Sequence, residues 1–308
     1  MPLKPPAGQQ KTLLIILGPT AVGKTRLAIM LADYFNTEIV SADSRQFYRE
    51  MKIGTAVPSE EELATVKHHL IGNLSVKDDY NVSRFEQEAL EILGNIFKQK
   101  DIALMAGGSG LYINAVCKGI DEIPDPDADL REELNATFEQ KGIEPLREQL
   151  RLLDPECYAR TDIANHKRII RALEVCIASG KPYSSYLMSR AKPRDFQIVK
   201  LGLKRGREEL YAMINQRVDL MMEAGLEQEA RALLPCRGFN SLNTVGYREL
   251  FGFFDGKCTL VEAVEKIKVN TRRYAKKQMT WFERDKEIEW MNASEADKIM
   301  ELVKIKVR

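Results

Sequence analysis

The sequence predicts an α/β protein with a P-loop NTPase-like parallel-sheet core and an inserted all-helical domain. Three observations carry that reading. An apolar, branched run at 13–17 breaks at Gly18 and a helix-forming stretch opens at Lys24, with GPTAVGKT between them. The same order of strand, glycine-rich turn and helix returns in DIALMAGGSGLYINAVCKG, 101–119. The alternation then stops at the Pro- and Asp-rich IPDPDADLREEL (123–134), gives way to helical periodicity up to about residue 195, and resumes with the strand-like FQIVKLGL (196–203). The core is therefore expected to comprise 1–120 and 196–308, with 121–195 inserted.

The first element matters most chemically. Gly18, Gly23, Lys24 and Thr25 fill every fixed position of G-x-x-x-x-G-K-S/T. Such a loop is a nest of backbone N–H groups at a helix N-terminus, suited to a di- or triphosphate. Its eight residues, Gly18, Pro19, Thr20, Ala21, Val22, Gly23, Lys24 and Thr25, are the candidate cradle. Lys24 is expected against the terminal phosphates and the Thr25 hydroxyl on magnesium. Loops of this kind ordinarily hold ATP or GTP, and the motif alone does not say whose phosphate it takes.

The second strand, EIVSAD (38–43), ends on an acid. Ligands sit at the carboxyl ends of strands in parallel sheets, so Asp43 is expected to face the same crevice. A polar stretch with two aromatics follows (44–55), then a charged segment with helical character to about residue 67. In HHLI (68–71) adjacent histidines point in different directions, which favours packing or hydrogen bonding over a metal site. Residues 83–99 carry a helical stripe, Phe85, Ala89, Ile92, Leu93, Ile96 and Phe97, with Ser83 as the expected N-cap. The GGSG turn at 107–110 allows either close helix packing or ligand contact, and both readings stand. Helices are expected at 128–140, 144–152, 162–179 and 183–190 in the insertion. They are expected at 206–224, 226–234, 245–254 and 259–282 thereafter.

Composition bounds the function. With 308 residues, 44% hydrophobic and 30% charged, the chain has ample length and apolar content for a packed core. Its apolar runs fall short of a bilayer span and the start MPLKPPAGQQK lacks the apolar stretch of a signal peptide. The five cysteines are scattered, with no C-x-x-C pair. A cytoplasmic protein with no membrane partner, and a monomer, is the expectation. The net charge of +1 hides an asymmetry: residues 1–165 carry 26 acidic and 18 basic side chains, residues 166–308 carry 19 and 28. A basic half suits a polyanion, although solvated helices account for the count equally well.

Two stretches hold the surplus. In NHKRIIRALEVCIASG (165–180), Ile169, Leu173 and Cys176 or Ile177 form the expected buried stripe and Gly180 the stop. Lys167, Arg168 and Arg171 stand near the helix start, where cations oppose the macrodipole, which hints at an outside anion or at acids nearby. In VEAVEKIKVNTRRYAKKQMTWFERDK (261–286), Arg272 with Lys276 and Arg273 with Lys277 are like-charged i,i+4 neighbours. Interleaved Tyr274 and Trp281 suit RNA bases or, equally, a core.

Taken together, GPTAVGKT, SADSRQFYREMKIGT (41–55), HHLI, GGSGLY (107–112), HKRIIRALEV (166–175), RVDLMMEAGLEQE (217–229), VGYRE (245–249) and TRRYAKKQMTWF (271–282) resemble the tRNA dimethylallyltransferases, or tRNA isopentenyltransferases. The likeness runs over nearly the whole chain and is specific in its order. It implies a P-loop-type core, a helical insertion that grips the anticodon stem-loop of tRNA, and magnesium. The implied reaction moves a dimethylallyl group from dimethylallyl diphosphate to the exocyclic amine of the adenosine 3′ of the anticodon. By resemblance Asp43 is the general base, Lys24 and Thr25 serve the diphosphate, and Arg217 reaches it. Ser44, Arg45 and Gln46, the segment Lys167, Arg168, Ile169, Ile170 and Arg171, and more loosely Arg131, match tRNA-contacting stretches. Ser109 stands where the family usually has threonine; it keeps the hydroxyl for a catalytic or tRNA-facing hydrogen bond. The sequence shows no zinc finger of the eukaryotic relatives, so the resemblance is to the bacterial type.

Three rivals share parts of this pattern. A small-molecule kinase would use the same loop and strand-end acid but has no need of the basic C-terminal third. An RNA-binding ATPase should show a strand ending in paired acids, and none is evident. A prenyltransferase acting on free adenine nucleotides would not need the insertion.

Overall fold

The computed structural model describes residues 10–121, 123–124, 128–187 and 191–307. Six strands form one sheet: β1 (Thr12–Leu17), β2 (Ile39–Ser41), β3 (His68–His69), β4 (Ile102–Gly107), β5 (Gln197–Lys204) and β6 (Glu289–Asn292). All pairings are parallel, in the order β3-β2-β4-β1-β5-β6. This is the P-loop-like α/β architecture that the sequence predicts. β1 lies between β4 and β5, and all six of its residues are buried. A central parallel strand is covered on both faces, which is why TLLIIL reads as a continuous apolar run rather than an alternating one. Leu13, Ile15 and Leu17 face one layer, with Phe85, Ala89 and Leu93; Leu14 and Ile16 face the other, with Leu27, Ala28 and Leu31.

Of helices α1 (Lys24–Tyr34), α2 (Glu60–Thr65), α3 (Val82–Phe97) and α4 (Gly110–Lys118), α1, α3 and α4 supply the first half of these layers, while the short α2 buries none of its residues. α3 starts two residues earlier than Ser83 implies, because Asn81 is the cap: its side chain accepts from the Arg84 amide at 2.9 Å. The histidines of HHLI form the edge strand β3, with His69 Nε2 2.5 Å from Glu38 Oε2 and His68 Nδ1 2.8 Å from the Val66 carbonyl. Among the described residues no cluster of His, Cys, Asp and Glu could hold a metal on its own.

The chain divides into two compact units, Met1–Cys117 with Pro193–Arg308, and Lys118–Lys192. The described part of the second is helical: α5 (Ala128–Lys141), α6 (Glu144–Leu153), α7 (Pro155–Arg160), α8 (His166–Ser179) and a 3-10 turn at Tyr183–Tyr186. Leu134, Leu146, Leu150, Ile169, Ile170 and Leu173 are its core. The helix expected at 162–179 begins at His166, and the short α7 ahead of it was not expected. Buried Asp154 caps α7 through the Cys157 amide (2.9 Å) and also takes the Ser184 amide (2.7 Å), while Asn165 caps α8. Gly180, at φ +67, closes α8. Of the helix expected at 183–190, positions 188–190 lie outside the described residues, as do 125–127 of the Pro- and Asp-rich edge.

The first unit is completed by α9 (Arg207–Glu223), α10 (Leu226–Ala232), α11 (Tyr247–Phe254), α12 (Leu260–Phe282) and α13 (Ala296–Lys306). α12 begins with a Thr259–Glu262 capping box. No helix among the described residues is long and apolar enough to cross a membrane.

Candidate active site

The site lies at the carboxyl ends of β1, β2 and β4, where the strands hand over to the 18–25 loop, Asp43 and the 107–110 turn. Gly23 is the N-cap of α1 at φ +108, a conformation that favours glycine, so the loop turns into the helix with its amides converging. The Lys24 ammonium donates to the carbonyls of Gly18 (3.0 Å) and Pro19 (2.7 Å) and so holds the loop in its curve. Arg205, just past the end of β5, supports it by donating to the Val22 carbonyl at 3.2 Å.

The 107–110 turn answers the question the sequence leaves open. A Cβ on Gly107 would stand 2.2 Å from the Ala42 carbonyl oxygen, and one on Gly108 2.3 Å from Gln278 Nε2. Close packing therefore requires these glycines, while Gly107 also lines the cavity. Gln278 is a residue that sequence reasoning missed. It is buried on α12, accepts from the Thr20 amide at 2.8 Å and donates to the Gly108 carbonyl at 2.9 Å, joining the two glycine-rich loops. The available signal was a glutamine on the stripe of Ala275 and Phe282, since a buried amide needs partners.

Two cavities meet here. One, of about 440 Å³, is lined by Thr20, Lys24, Thr25, Asp43, Arg217 and Gln278 among others. The second, about 300 Å³, has Ser44, Arg45, Val218, Met221, Val245 and Ile267 on its walls. Thr20, Asp43, Thr55, Ala56, Arg217 and Tyr274 belong to both, so Asp43 stands at the junction.

The charges act on one another. Burial pushes Lys24 down to about 7; the Asp43 carboxylate opposes that and Arg217 adds to it. Burial also lowers Arg217, with Asp43 and then Glu62 opposing. Lys24 and Arg217 are two partly desolvated cations that Asp43 acts on together, with Glu62 acting on Arg217, a setting that a bound diphosphate would favour. Arg217 Nη1 donates to Thr20 Oγ1 at 3.2 Å, which points its guanidinium at the loop. The Tyr274 hydroxyl faces inward and is pushed up to about 12, by burial first and by Asp43 next, against Arg45 and hydrogen bonds with Ser109 and Gln278, although the residue as a whole is 41% exposed. Asp43 Oδ1 accepts the Arg45 amide at 3.0 Å, and Ser109 Oγ accepts the Ser44 amide at 2.9 Å, which fixes the strand end.

The structure thus brings together Gly18–Thr25, Asp43, Ser44, Arg45, Ser109 and Arg217, and adds Tyr274 and Gln278. Gln46 points inward: it donates to the carbonyls of Thr55 (3.2 Å) and Ala56 (3.0 Å) while its Oε1 accepts from Ser41 (3.1 Å), so its bonds tie the wall together. In the helical unit Lys167 and Arg168 are exposed. Ile169 and Ile170 correct the expectation of tRNA contact: at 0% and 4% exposure their side chains are core, because α8 turns that face towards α5 and α6. Arg131 forms a two-pronged pair with buried Glu174 (2.5 and 3.0 Å), and Arg171 lies 3.5 Å from the same carboxylate, so nearby acid accounts for both. Ile177 is 40% exposed, leaving Cys176 on the stripe. On α12, Arg273, Lys276 and Lys277 are exposed, whereas Arg272 is engaged by Asn215 and the Tyr211 ring. Of the two open aromatics, Tyr274 is 41% and Trp281 37% exposed; Phe282 is core.

Fold and site together define a P-loop-type α/β protein in which a strand-end carboxylate, Asp43, faces the 18–25 loop. Residues 46–285 match the family model described as IPP transferase, and the chain belongs to that family. It is 50% identical over 294 residues to tRNA dimethylallyltransferase 1 of Bacteroides thetaiotaomicron, covering 96% of each chain. It is 51% identical to the tRNA dimethylallyltransferase of Christiangramia forsetii, covering 93% of this chain and 95% of that one. The crystal structure of the tRNA isopentenylpyrophosphate transferase of Bacillus halodurans superposes with a TM-score of 0.70 at 36% identity, covering 97% of both chains. A eukaryotic dimethylallyltransferase acting on tRNA gives 0.77 at 25% identity, covering 92% of this chain and 74% of that one.

Proposed function

We propose that this protein transfers a dimethylallyl group from dimethylallyl diphosphate to the exocyclic amine of the adenosine 3′ of the anticodon in tRNA, in the cytoplasm. The observation that carries the reading is Asp43 at the junction of the two cavities, facing Lys24 and Arg217 across one of them. In this reading the 440 Å³ cavity takes the diphosphate and the 300 Å³ cavity takes the adenine. The amine nitrogen attacks the allylic carbon; a carbon–nitrogen bond forms as the carbon–oxygen bond breaks, and the bonding pair leaves with the diphosphate. Asp43 accepts the amine proton as positive charge develops on the nitrogen. Lys24, Arg217 and the loop amides stabilise charge on the leaving group, an electrostatic contribution usually worth several kcal/mol. An arriving diphosphate also restores the charge of a lysine that burial has lowered to about 7.

Magnesium fits the residues present. The Thr25 hydroxyl on the cavity wall is a hard oxygen donor, and the described residues hold no metal cluster of their own, as suits an ion carried mainly by substrate phosphates. When bound it would supply Lewis-acid stabilisation of the departing diphosphate. For tRNA, exposed Lys167 and Arg168 on the helical unit, and exposed Arg273, Lys276 and Lys277 with Tyr274 on α12, offer phosphate contacts and a stacking face. The test is prenylation of unmodified tRNA by the purified protein with dimethylallyl diphosphate and magnesium. Isopentenyladenosine 3′ of the anticodon is the expected product; its absence, or its formation only from free AMP or ATP, would refute the proposal.

A further inference from the structure

RVDLMMEAGLEQE and VGYRE line the cavities through Arg217, Val218, Met221, Val245 and Gly246, and each also carries a carboxylate that holds nearby backbone by hydrogen bonds. Glu229, on α10, accepts hydrogen bonds from three consecutive backbone amides, Lys52 (2.8 Å), Ile53 (2.8 Å) and Gly54 (2.9 Å). A fourth comes from the Tyr247 hydroxyl at 2.7 Å. Oε2 serves Lys52 and Ile53, and Oε1 serves Gly54 and Tyr247, so neither oxygen is idle. Tyr247 is fully buried, and a Cβ on Gly54 would lie 2.6 Å from its hydroxyl oxygen. The turn and the ring are fitted to one another.

The clamped amides lead directly into Thr55 and Ala56, which wall both cavities beside Asp43. Gln46 holds the same two residues from the other side through their carbonyls. Ala56 sits at φ +50, an unfavourable conformation for a residue with a Cβ, and its neighbours must maintain it. We infer that Glu229 is a positioning residue for the reaction: through the amides of 52–54 it fixes Thr55 and Ala56, and so sets where the acceptor lies relative to Asp43. The inference rests on the function proposed above. Glu249 of VGYRE caps the start of α11, accepting from the amide of Gly246, a residue of the 300 Å³ cavity wall (2.8 Å), and from Asn270 (2.7 Å).

The physical basis is the mismatch any replacement creates. Charge-assisted bonds from a carboxylate are roughly twice as strong as neutral ones. In Glu229→Gln one oxygen becomes an NH2 group that cannot accept from a backbone N–H, so at least one of the three amide bonds is lost, although the Tyr247 hydroxyl can turn to accept from the new donor. A wall displaced by about 1 Å is enough to cost on the order of a hundredfold in rate, whereas the diphosphate loop at 18–25 is not touched.

Two readouts on Glu229→Gln, beside Tyr247→Phe, test this. Hydrogen exchange should speed up within 52–54, at the amides that lose their acceptor, while β1 amides keep their protection. In single turnover with saturating tRNA the rate should fall about ten- to a hundredfold, with the dissociation constant for dimethylallyl diphosphate unchanged within about twofold. Tyr247→Phe, which leaves the three amide bonds, should fall between the variant and the wild type. A variant that opens these amides yet turns over at the wild-type rate would overturn the inference. So would exchange that rises equally in β1, with diphosphate binding lost in step, since that describes general unfolding. Failure of the wild-type protein to make product would instead defeat the function itself, a different result from equal activity in both proteins.

Discussion

Replacing Asp43 by asparagine removes one negative charge from the junction of the two cavities while keeping the side chain's shape. An amide oxygen can still accept the Arg45 amide that Oδ1 holds at 3.0 Å, so the strand end should stay in place. Two things are lost. The amine proton has no acceptor, and general base catalysis is worth roughly 10²- to 10⁴-fold, or about 3–5 kcal/mol of activation free energy. The carboxylate also no longer supports the charges of Lys24 and Arg217, each of which it favours. In the ground state the diphosphate takes over that support, so donor binding should hold or tighten while chemistry slows. The assay is single-turnover prenylation with tRNA and dimethylallyl diphosphate both saturating, alongside equilibrium binding of each. Expected are tRNA affinity within about threefold and a rate down by at least about a hundredfold. Normal turnover with weakened tRNA binding would refute the reasoning and make Asp43 a recognition residue only.

Four further outcomes follow from named contacts. Gly108→Ala would place a Cβ 2.3 Å from Gln278 Nε2 and displace the amide that holds the Thr20 N–H, so the dissociation constant of dimethylallyl diphosphate should rise about tenfold, measured by calorimetry. Neutralising Arg273, Lys276 and Lys277 together should weaken tRNA binding and flatten its dependence on salt by up to about three units of log–log slope; an unchanged slope returns α12 to a structural role. Ile170→Ala should destabilise the protein by about 2–5 kcal/mol in denaturant unfolding, as expected of a core side chain at 4% exposure and not of a surface contact. Burial alone would raise the Glu38 carboxyl, but hydrogen bonds from His69 and Lys67 hold it below its ordinary 4.5. Its folded-state pKa is depressed, so its contribution is present above that value and is lost as the pH falls through and below it. Melting temperatures across that acid range should therefore fall less steeply in Glu38→Gln than in the wild type.

The P-loop and Asp43 were legible because their chemistry is local: a glycine-punctuated turn after a branched run, and an acid at a strand end, need no distant partner to be recognised. What escaped depended on tertiary packing. β3 has two residues and β6 four, both shorter than any periodicity can report, and each exists only because a neighbouring strand offers its edge. α7 was hidden because Pro155 and capping Asp154 give it six residues, too few for a stripe. Ile169 and Ile170 illustrate the opposite risk. A segment matched to a tRNA-contacting stretch contains its own core face, and α8 exposes Lys167 and Arg168 while burying the two isoleucines beside them. The sequence leaves Arg171 open between an outside anion and a nearby acid, and matches Arg131 only loosely to a tRNA contact; Glu174, 43 residues from Arg131, is the acid beside both. Gln278 and Glu229 could not be assigned for the same reason. Their partners are the amides of Thr20 and of residues 52–54, which spacing in the chain does not bring near.

The central claim is that the phosphate cradle at 18–25 holds the leaving group of a prenyl donor, so that the bond broken is carbon–oxygen. It is tested most directly by incubating the purified protein with magnesium, unmodified tRNA and dimethylallyl diphosphate, with no nucleoside triphosphate present, and analysing the tRNA nucleosides by mass spectrometry. Isopentenyladenosine at the position 3′ of the anticodon is expected, with one diphosphate released per modification. Product that forms only with free adenine nucleotide as acceptor, or phosphoryl transfer from ATP to a small acceptor with no prenylation, would contradict it.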